Sequence, residues 1–311
     1  MTRDFKGRGE GTPDVELVAQ LLREQATPLA GLPLVLSSTE GSSNWVFRLG
    51  QELAVRLPRS PDYAQDLETE VSWLPRIAAA TTTPTPELVL TGKPSALFPR
   101  PWAVVTWLPG ERPRDLQAED QRALAADLGA FLEELHRVDV DGVPVGPEHW
   151  GYRCDEPVTE QVDAWAKEAA EGLSDLFDPG AVNEAWRRVR DVPARTTTPC
   201  LVHTDLSEEN LLVNDAGRLA GVIDFGSVGV GDPAVDLLYA WSLFDPPARA
   251  TLRESAGADE TTWLRARAYA FVGPGLLSLL HYRAAMPRRA ARLTRLVRSI
   301  AAEVGVDLDV P

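Results

Sequence analysis

Between residues 203 and 226 the sequence sets a few polar side chains at spacings that suit one kind of chemistry. His203-Thr204-Asp205-Leu206-Ser207-Glu208-Glu209-Asn210 puts a carboxylate two residues after a histidine and five before an asparagine, and Ile223-Asp224-Phe225-Gly226 follows. Moving a phosphoryl group to a hydroxyl needs a base that orients the hydroxyl and takes its proton. It also needs hard oxygen ligands that hold magnesium on the nucleotide phosphates. Asp205 can be that base. Asn210 offers a neutral amide oxygen and Asp224, fourteen residues further on, an anionic one. The order H-x-D-x-x-x-x-N and then D-F-G is that of a catalytic loop followed by a metal-binding aspartate. His203 stands beside Asp205 in the catalytic set with a bracing role, because a buried histidine with satisfied nitrogens is the commoner state.

These groups must be positioned by elements that the pattern also predicts. Around them, 200–202, 210–213 and 219–223 are compact apolar runs split by turn residues such as Asn214-Asp215 and Gly217, a strand-turn-strand that brings Asn210 and Asp224 to adjacent strand ends. Upstream, Thr12-Pro13-Asp14 precedes Val15, Leu17, Val18, Leu21 and Leu22 at helical spacing. Strands are expected at 34–36, 45–49 and 53–57 as an antiparallel meander, a helix at 61–80, and strands at 88–91 and 102–107. In 53–57, alternation sends Ala54 and Arg56 to one face and Leu53, Val55 and Leu57 to the other. Beyond Pro109-Gly110 the apolar stripes are helical, at 121–138, 159–173, 182–189, 262–280 and 288–304. The expected class is α+β, with a small antiparallel sheet lobe over 1–108 and a large, mainly helical lobe over 109–311.

With these motifs the chain resembles the aminoglycoside and macrolide phosphotransferase family, antibiotic-modifying enzymes of protein-kinase-like, two-lobed fold. The resemblance covers about residues 34–243 and is most specific over 201–241, including Gly229-Val230-Gly231-Asp232-Pro233-Ala234-Val235-Asp236-Leu237. It implies a magnesium-dependent transfer of the γ-phosphoryl of ATP or GTP to a hydroxyl of a small-molecule antibiotic of aminoglycoside, macrolide or nucleoside type. Leu53-Ala54-Val55-Arg56-Leu57-Pro58 is similar to the family's third strand, where Ala-x-Lys places a lysine on the phosphates; here the cation is Arg56, a two-pronged donor rather than a point charge. The competing reading is a surface arginine on an edge strand. Glu70 would pair with this cation, with Glu68 as rival. Ser42, Ser43 and Asn44 would cover the phosphates, and Thr106-Trp107-Leu108 would be the hinge whose backbone binds the base. Asp236 would brace the catalytic loop and is counted on the acceptor side. Glu208 and Glu209 could attract a cationic aminoglycoside there, while Trp263 and Tyr282, with Trp241 and Tyr269, could line an apolar floor.

Composition narrows the remaining classes. The 31 Lys plus Arg stand against 46 Asp plus Glu, a net charge of -15, which speaks against nucleic acid as a partner. Lys6, Lys93 and Lys167 are the only lysines and none lies in a Walker-type glycine loop, which excludes a P-loop NTPase. Two cysteines, Cys154 and Cys200, are too few for a disulfide framework or a four-cysteine zinc site, and His136, His149 and His281 show no metal-ligand spacing. No run approaches the roughly 18 apolar residues of a membrane span, and 1–13 is polar. A cytoplasmic protein with a small-molecule substrate and no obligate protein partner is expected. Two other readings stay open: a metabolic kinase for choline, homoserine or a sugar, and a catalytically inactive kinase-like binding module, against which intact Asp205, Asn210 and Asp224 count.

Overall fold

Asp14 accepts the N–H of Leu17 at 2.8 Å and so caps α1 (Val15–Gln25), whose Val18, Leu21 and Leu22 point into an apolar core. The computed structural model describes residues 12–37, 43–114, 116–145, 160–194 and 197–309. Two units can be separated, Met1–Gly110 with Ala220–Val228, and Glu111–Leu219 with Gly229–Pro311.

In the first unit, β1 (Leu34–Leu36), β2 (Asn44–Leu49), β3 (Leu53–Pro58), β4 (Leu88–Gly92) and β5 (Trp102–Thr106) form an antiparallel sheet in the order β1-β2-β3-β5-β4, with α2 (Pro61–Ala80) inserted after β3. Leu53, Val55 and Leu57 pack with Phe47, Leu49, Trp102 and the α1 residues. Each such side chain contributes about 1.5–3 kcal/mol when buried. Ala54 and Arg56 take the other face, as period-two alternation requires. β3 is the middle strand, so Arg56 is not on an edge.

α2 starts at Ser60, whose hydroxyl accepts the N–H of Tyr63, with Pro61 in the first turn. Its buried stripe is Ala64, Leu67, Glu70, Trp73, Leu74 and Ile77, a helical repeat that includes one carboxylate. A boundary drawn after Leu108 leaves Ala220–Val228 with the helical half. Yet these residues belong with the first unit, because Val222 donates to the Pro84 carbonyl at 3.1 Å and the short turn Phe225–Ser227 packs on α2. Such long-range pairing carries no local signal.

In the second unit, α3 (Ala118–Leu135), α4 (Glu160–Gly172) and α5 (Pro179–Val189) precede β6 (Cys200–Val202), β7 (Leu211–Val213) and β8 (Leu219–Val222), the last of which runs on into the first unit. β9 (Gly229–Gly231) then pairs antiparallel with β6. Sequence pattern does not reveal β9, since Gly-Val-Gly has little strand propensity of its own. α6 (Ala240–Leu243), α7 (Pro246–Ser255), α8 (Glu260–Ala270), α9 (Ser278–Tyr282) and α10 (Pro287–Glu303) complete it. The single helix expected at 262–280 is broken, with a π-helical stretch Phe271–Leu277 between α8 and α9. Pro274 has no N–H to give and its ring crowds the preceding turn, so the ladder widens there. α7 has no counterpart among the expected stripes. Among the described residues no helix is long and apolar enough to cross a membrane.

α3 and α7 approach closely because Gly129 has no side chain: a Cβ there would lie 2.4 Å from Ser255 Cβ and 2.9 Å from the Ala256 nitrogen. Gly129→Ala should therefore destabilise the protein by about 1–3 kcal/mol through overpacking, despite alanine's better helix propensity. Thermal unfolding checks this, and an unchanged or raised Tm would show that the two helices can separate at no cost.

Candidate active site

The first unit assembles a three-residue charge cluster. Arg56, on β3 and 9% exposed, donates to Glu70 on α2 and, through its second nitrogen, to Asp224 Oδ1 at 2.9 Å. Glu70 is 1% exposed and takes the cation, whereas Glu68 lies on the solvent side of α2. The helical phase decides between them: Glu70 falls three residues after Leu67 and three before Trp73 on the buried stripe. Asp224 adopts a left-handed backbone with φ 68°. Such a conformation costs a non-glycine residue about 1–3 kcal/mol and is held here by the packing of Phe225–Ser227 on α2. Burial pushes the Glu70 carboxyl up to about 6; the nearby Asp224 adds to this, and the pull of Arg56 and of the Phe225 N–H does not offset it. Arg56 stays charged, because Glu70 and Asp224 together outweigh its own desolvation.

Around this cluster lie the residues expected to hold a nucleotide. Ala54 is buried on the same face as Arg56, leaving a small step beside the cation. Asn44, at the start of β2, donates to the Ser43 hydroxyl at 3.2 Å, while its own amide oxygen is buried without a hydrogen bond. Ser42 lies outside the described residues. In the hinge segment the Thr106 N–H goes to the Glu87 carbonyl at 2.9 Å and the Trp107 N–H to Glu52 at 2.7 Å. Both of these expected donors are thus spent inside the unit. Arg48 stacks on the Trp107 ring at 4.2 Å. The Leu108 side chain lies against Gly221, where a Cβ would come within 2.8 Å of it.

The second unit holds the catalytic loop by its backbone. The Asp236 carboxylate is fully buried and accepts the His203 N–H at 3.2 Å and the Thr204 N–H at 2.8 Å, with His136 Nε2 2.9 Å from the same oxygen that takes His203. Thr204 has φ 74°, again left-handed for a non-glycine residue. His203 is buried and its Nδ1 accepts the Asp205 N–H at 3.3 Å. Asn210 Nδ2 donates to the Asp205 carbonyl at 2.8 Å and to its Oδ2 at 3.2 Å, which turns the Asn210 amide oxygen away from Asp205. The result is a carboxylate whose position is set from three sides.

Several acceptor-side expectations are corrected. Asp236 spends both oxygens on the loop backbone and His136 and cannot contact a substrate, so it is a brace alone. His203 likewise acts on the loop, not on a reacting atom. Glu208 and Glu209 share the single guanidinium of Arg292 of α10, which offsets one of their two charges. Trp263 is packed on Trp241, with centroids 4.8 Å apart, and lines a cavity of about 390 Å³ with Arg249, Arg253 and Glu254 on the α7 side. Tyr282 carries the Arg289 guanidinium over its ring at 5.0 Å. Sequence reasoning misses His136, Tyr239, Arg289 and Arg292. Of these, only Tyr239 falls inside the 201–241 stretch of the motifs, and nothing in the pattern separates Arg289 from its five arginine neighbours on 283–298.

Metal chemistry suits the residues in one respect. Asn210, in the second unit, and the half-exposed Asp224, in the first, each carry a hard oxygen donor of the kind magnesium takes, and among the described residues no group of three or more His, Cys, Asp or Glu side chains could hold a metal ion.

Residues 36–270 match the model of the Phosphotransferase enzyme family. The chain belongs to that family. Aminoglycoside 3'-phosphotransferase of Escherichia coli is 26% identical over 164 residues, 51% of this chain and 59% of that protein. Viomycin phosphotransferase of Streptomyces vinaceus is 26% identical over 160 residues, 49% and 54%. The chain thus covers under two thirds of these relatives' length. Among solved structures, the GDP complex of wild-type aminoglycoside 2'-phosphotransferase-IIIa superposes with a TM-score of 0.69 at 21% identity, covering 94% of this chain and 100% of that one. Macrolide 2'-phosphotransferase of Brachybacterium faecium gives 0.60 at 21%, over 92% and 97%. The fold is the α+β, protein-kinase-like one of these phosphotransferases.

The raised pKa of Glu70 has a measurable effect. The folded protein holds this proton more tightly than the unfolded chain does, so the group favours folding below about pH 4.5, and that contribution is lost as pH rises through 6. Between those values wild type should lose about 2 kcal/mol relative to Glu70→Gln. Denaturant midpoints at each pH read this out. Parallel curves for the two proteins would mean that Glu70 titrates as a solvated glutamate.

Proposed function

We propose that the protein is a magnesium-dependent phosphotransferase that moves the γ-phosphoryl of ATP or GTP to a hydroxyl of a small-molecule antibiotic, inactivating it. The observation that carries this reading is the Asp205 carboxylate, fixed by Asn210 on a loop that Asp236 and His203 hold in a strained shape. A base held so is ready to orient one hydroxyl without rearranging. Asp205 takes the hydroxyl proton, the acceptor oxygen forms its bond to the γ-phosphorus, and the bond from that phosphorus to the β–γ bridging oxygen breaks, leaving the electron pair on the nucleoside diphosphate. Arg56 binds the phosphates from β3, with Glu70 keeping its fork oriented. Ala54, Ser43, Asn44 and Leu108 line the nucleotide, and Asn210 and Asp224 would hold the magnesium ion. The ion, when bound, neutralises phosphate charge and steadies the leaving group. The names of the matched relatives support an antibiotic as acceptor.

Incubation with magnesium, each nucleotide and an antibiotic panel, read as a mass increment of one phosphate on the acceptor, tests the class. In that assay Asp205→Ala should lower kcat by roughly 100- to 10,000-fold, with nucleotide binding kept. A variant retaining more than about a tenth of the rate would remove Asp205 from the role of base.

Arg56→Ala should raise KM for nucleotide strongly, and Arg56→Lys should restore part of the loss, because the charge returns without the two-pronged geometry. Since Glu70 acts through Arg56, the Arg56→Ala/Glu70→Ala double variant should cost less than the two single changes added. Strict additivity, or an Arg56→Ala enzyme with wild-type kinetics, would place the phosphate contact elsewhere.

A further inference from the structure

Asn210 accounts for one oxygen of the Asp205 side chain, and the other is shut away from solvent. Oδ2 takes the Asn210 amide at 3.2 Å, whereas Oδ1 is buried and makes no hydrogen bond to Asn210 or to the loop backbone. The hydroxyl of Tyr239, a residue 4% exposed, is closed off in the same way, and it faces Asp205 and Arg289. The backbone sets its place: Tyr239 follows the brace Asp236 by three residues and caps α6, its carbonyl accepting the N–H groups of Ser242 and Leu243 at 3.0 Å each. α6 packs on α10. The first turn of α10 supplies Arg289, which faces Asp205 as well as Tyr239 and lies over the Tyr282 ring at 5.0 Å. Burial works against the charge of Arg289, yet Tyr239, Asp205 and Tyr282 hold its pKa above the ordinary arginine range. Burial first, and then the facing Asp205, push the Tyr239 phenol well above its usual pKa against the pull of Arg289, so the group stays an O–H donor. Polar atoms shut away from water are costly unless they satisfy one another, and the Tyr239 hydroxyl and Asp205 Oδ1 have this trio to satisfy them.

We infer that Tyr239 and Arg289 are positioning residues for the phosphoryl transfer: they hold Oδ1 of Asp205, and Oδ2, beside Asn210, is the oxygen that takes the acceptor proton. The inference rests on the phosphotransferase reading above and deepens it to the atom. Asp205 is only partly buried, so with Oδ1 shut in and facing two donors, a substrate hydroxyl meets the carboxylate at Oδ2. As that proton moves to Oδ2, the acceptor oxygen bonds to the γ-phosphorus and the β–γ bridging oxygen leaves with its electron pair. Tyr239 and Arg289 keep their own protons throughout. Donors on both oxygens fix the plane of the carboxylate, which a single contact from Asn210 leaves free to turn about its side-chain bonds. Both side chains act through Asp205, so their loss should slow the chemical step and leave substrate binding alone.

Two measurements test it. First, urea unfolding of wild type, Tyr239→Phe, Asp205→Ala and the double variant reads the pairing. The cost of Tyr239→Phe, taken as its effect on the unfolding constant, should shrink about fivefold or more once residue 205 is alanine. An equal cost in both backgrounds overturns the inference. Second, initial rates are measured with magnesium, ATP or GTP, and the member of the antibiotic panel that gains a phosphate, each variant being assayed well below its thermal midpoint. Tyr239→Phe, which removes one oxygen and keeps the ring, should lower kcat about tenfold or more while KM for nucleotide and for acceptor stays within about twofold. Arg289→Gln should do the same and Arg289→Lys should recover part of kcat, because the charge returns at one nitrogen. Unchanged kcat in Tyr239→Phe and Arg289→Gln overturns the inference, and so does a raised acceptor KM with kcat kept, which would mean that these side chains touch the substrate. An active wild type with unaffected variants thus defeats the inference alone, whereas a wild type that phosphorylates no member of the panel removes the phosphotransferase reading and this inference with it.

Discussion

A guanidinium buried on the middle strand of a five-stranded sheet must find anions, and the first unit is arranged around that demand. Arg56 cannot shed its proton to escape desolvation, and leaving it unpaired would cost about 3–5 kcal/mol. Glu70 is therefore carried into the apolar stripe of α2, and Asp224 is brought back from more than a hundred residues away in a left-handed turn. A lysine at the same place could satisfy one carboxylate well; the forked cation reaches both. The ion cluster thus fixes α2, β3 and the segment around Asp224 against one another.

The second unit solves a different problem with the same economy of groups. A loop that presents a carboxylate needs its backbone amides satisfied and its strained residue held. Asp236 does both at Thr204, and His136 at the C-terminus of α3 completes the carboxylate's shell. Asp232, four residues earlier, forms a buried two-pronged pair with Arg265 of α8, at 2.7 and 3.0 Å, and so ties the bracing segment into the helical core. The loop's geometry depends on α3 and α8, elements that never touch the chemistry.

Charge distribution matters more than net charge here. The chain is acidic overall, yet its arginines concentrate along α10 and meet the catalytic loop, turning Glu208 and Glu209 inward. Reading acceptor preference from total charge, or from the acids in the loop sequence, points toward cations. Arg292 of α10 pairs with both acids, and its one positive charge offsets one of their two negative charges at short range.

Residue order was enough to recognise the family and to place the strand bearing Arg56, because the H-x-D-x-x-x-x-N and D-F-G segments and that strand are short motifs whose spacing is set by local backbone geometry. Helical phase in the sequence also holds the answer for Glu70 over Glu68, since a stripe of period 3.6 admits one and not the other. Alternation placed Ala54 and Arg56 together, but only the sheet order shows that their strand is central. The partners of Asp236, Glu208 and Glu209, the division that gives Ala220–Val228 to the first unit, and the strand β9 were decided by tertiary structure. Each depends on a partner between about thirty and more than a hundred residues away, and pairing at that separation leaves no periodic trace in the chain, because it is selected by packing and charge rather than by neighbouring residues.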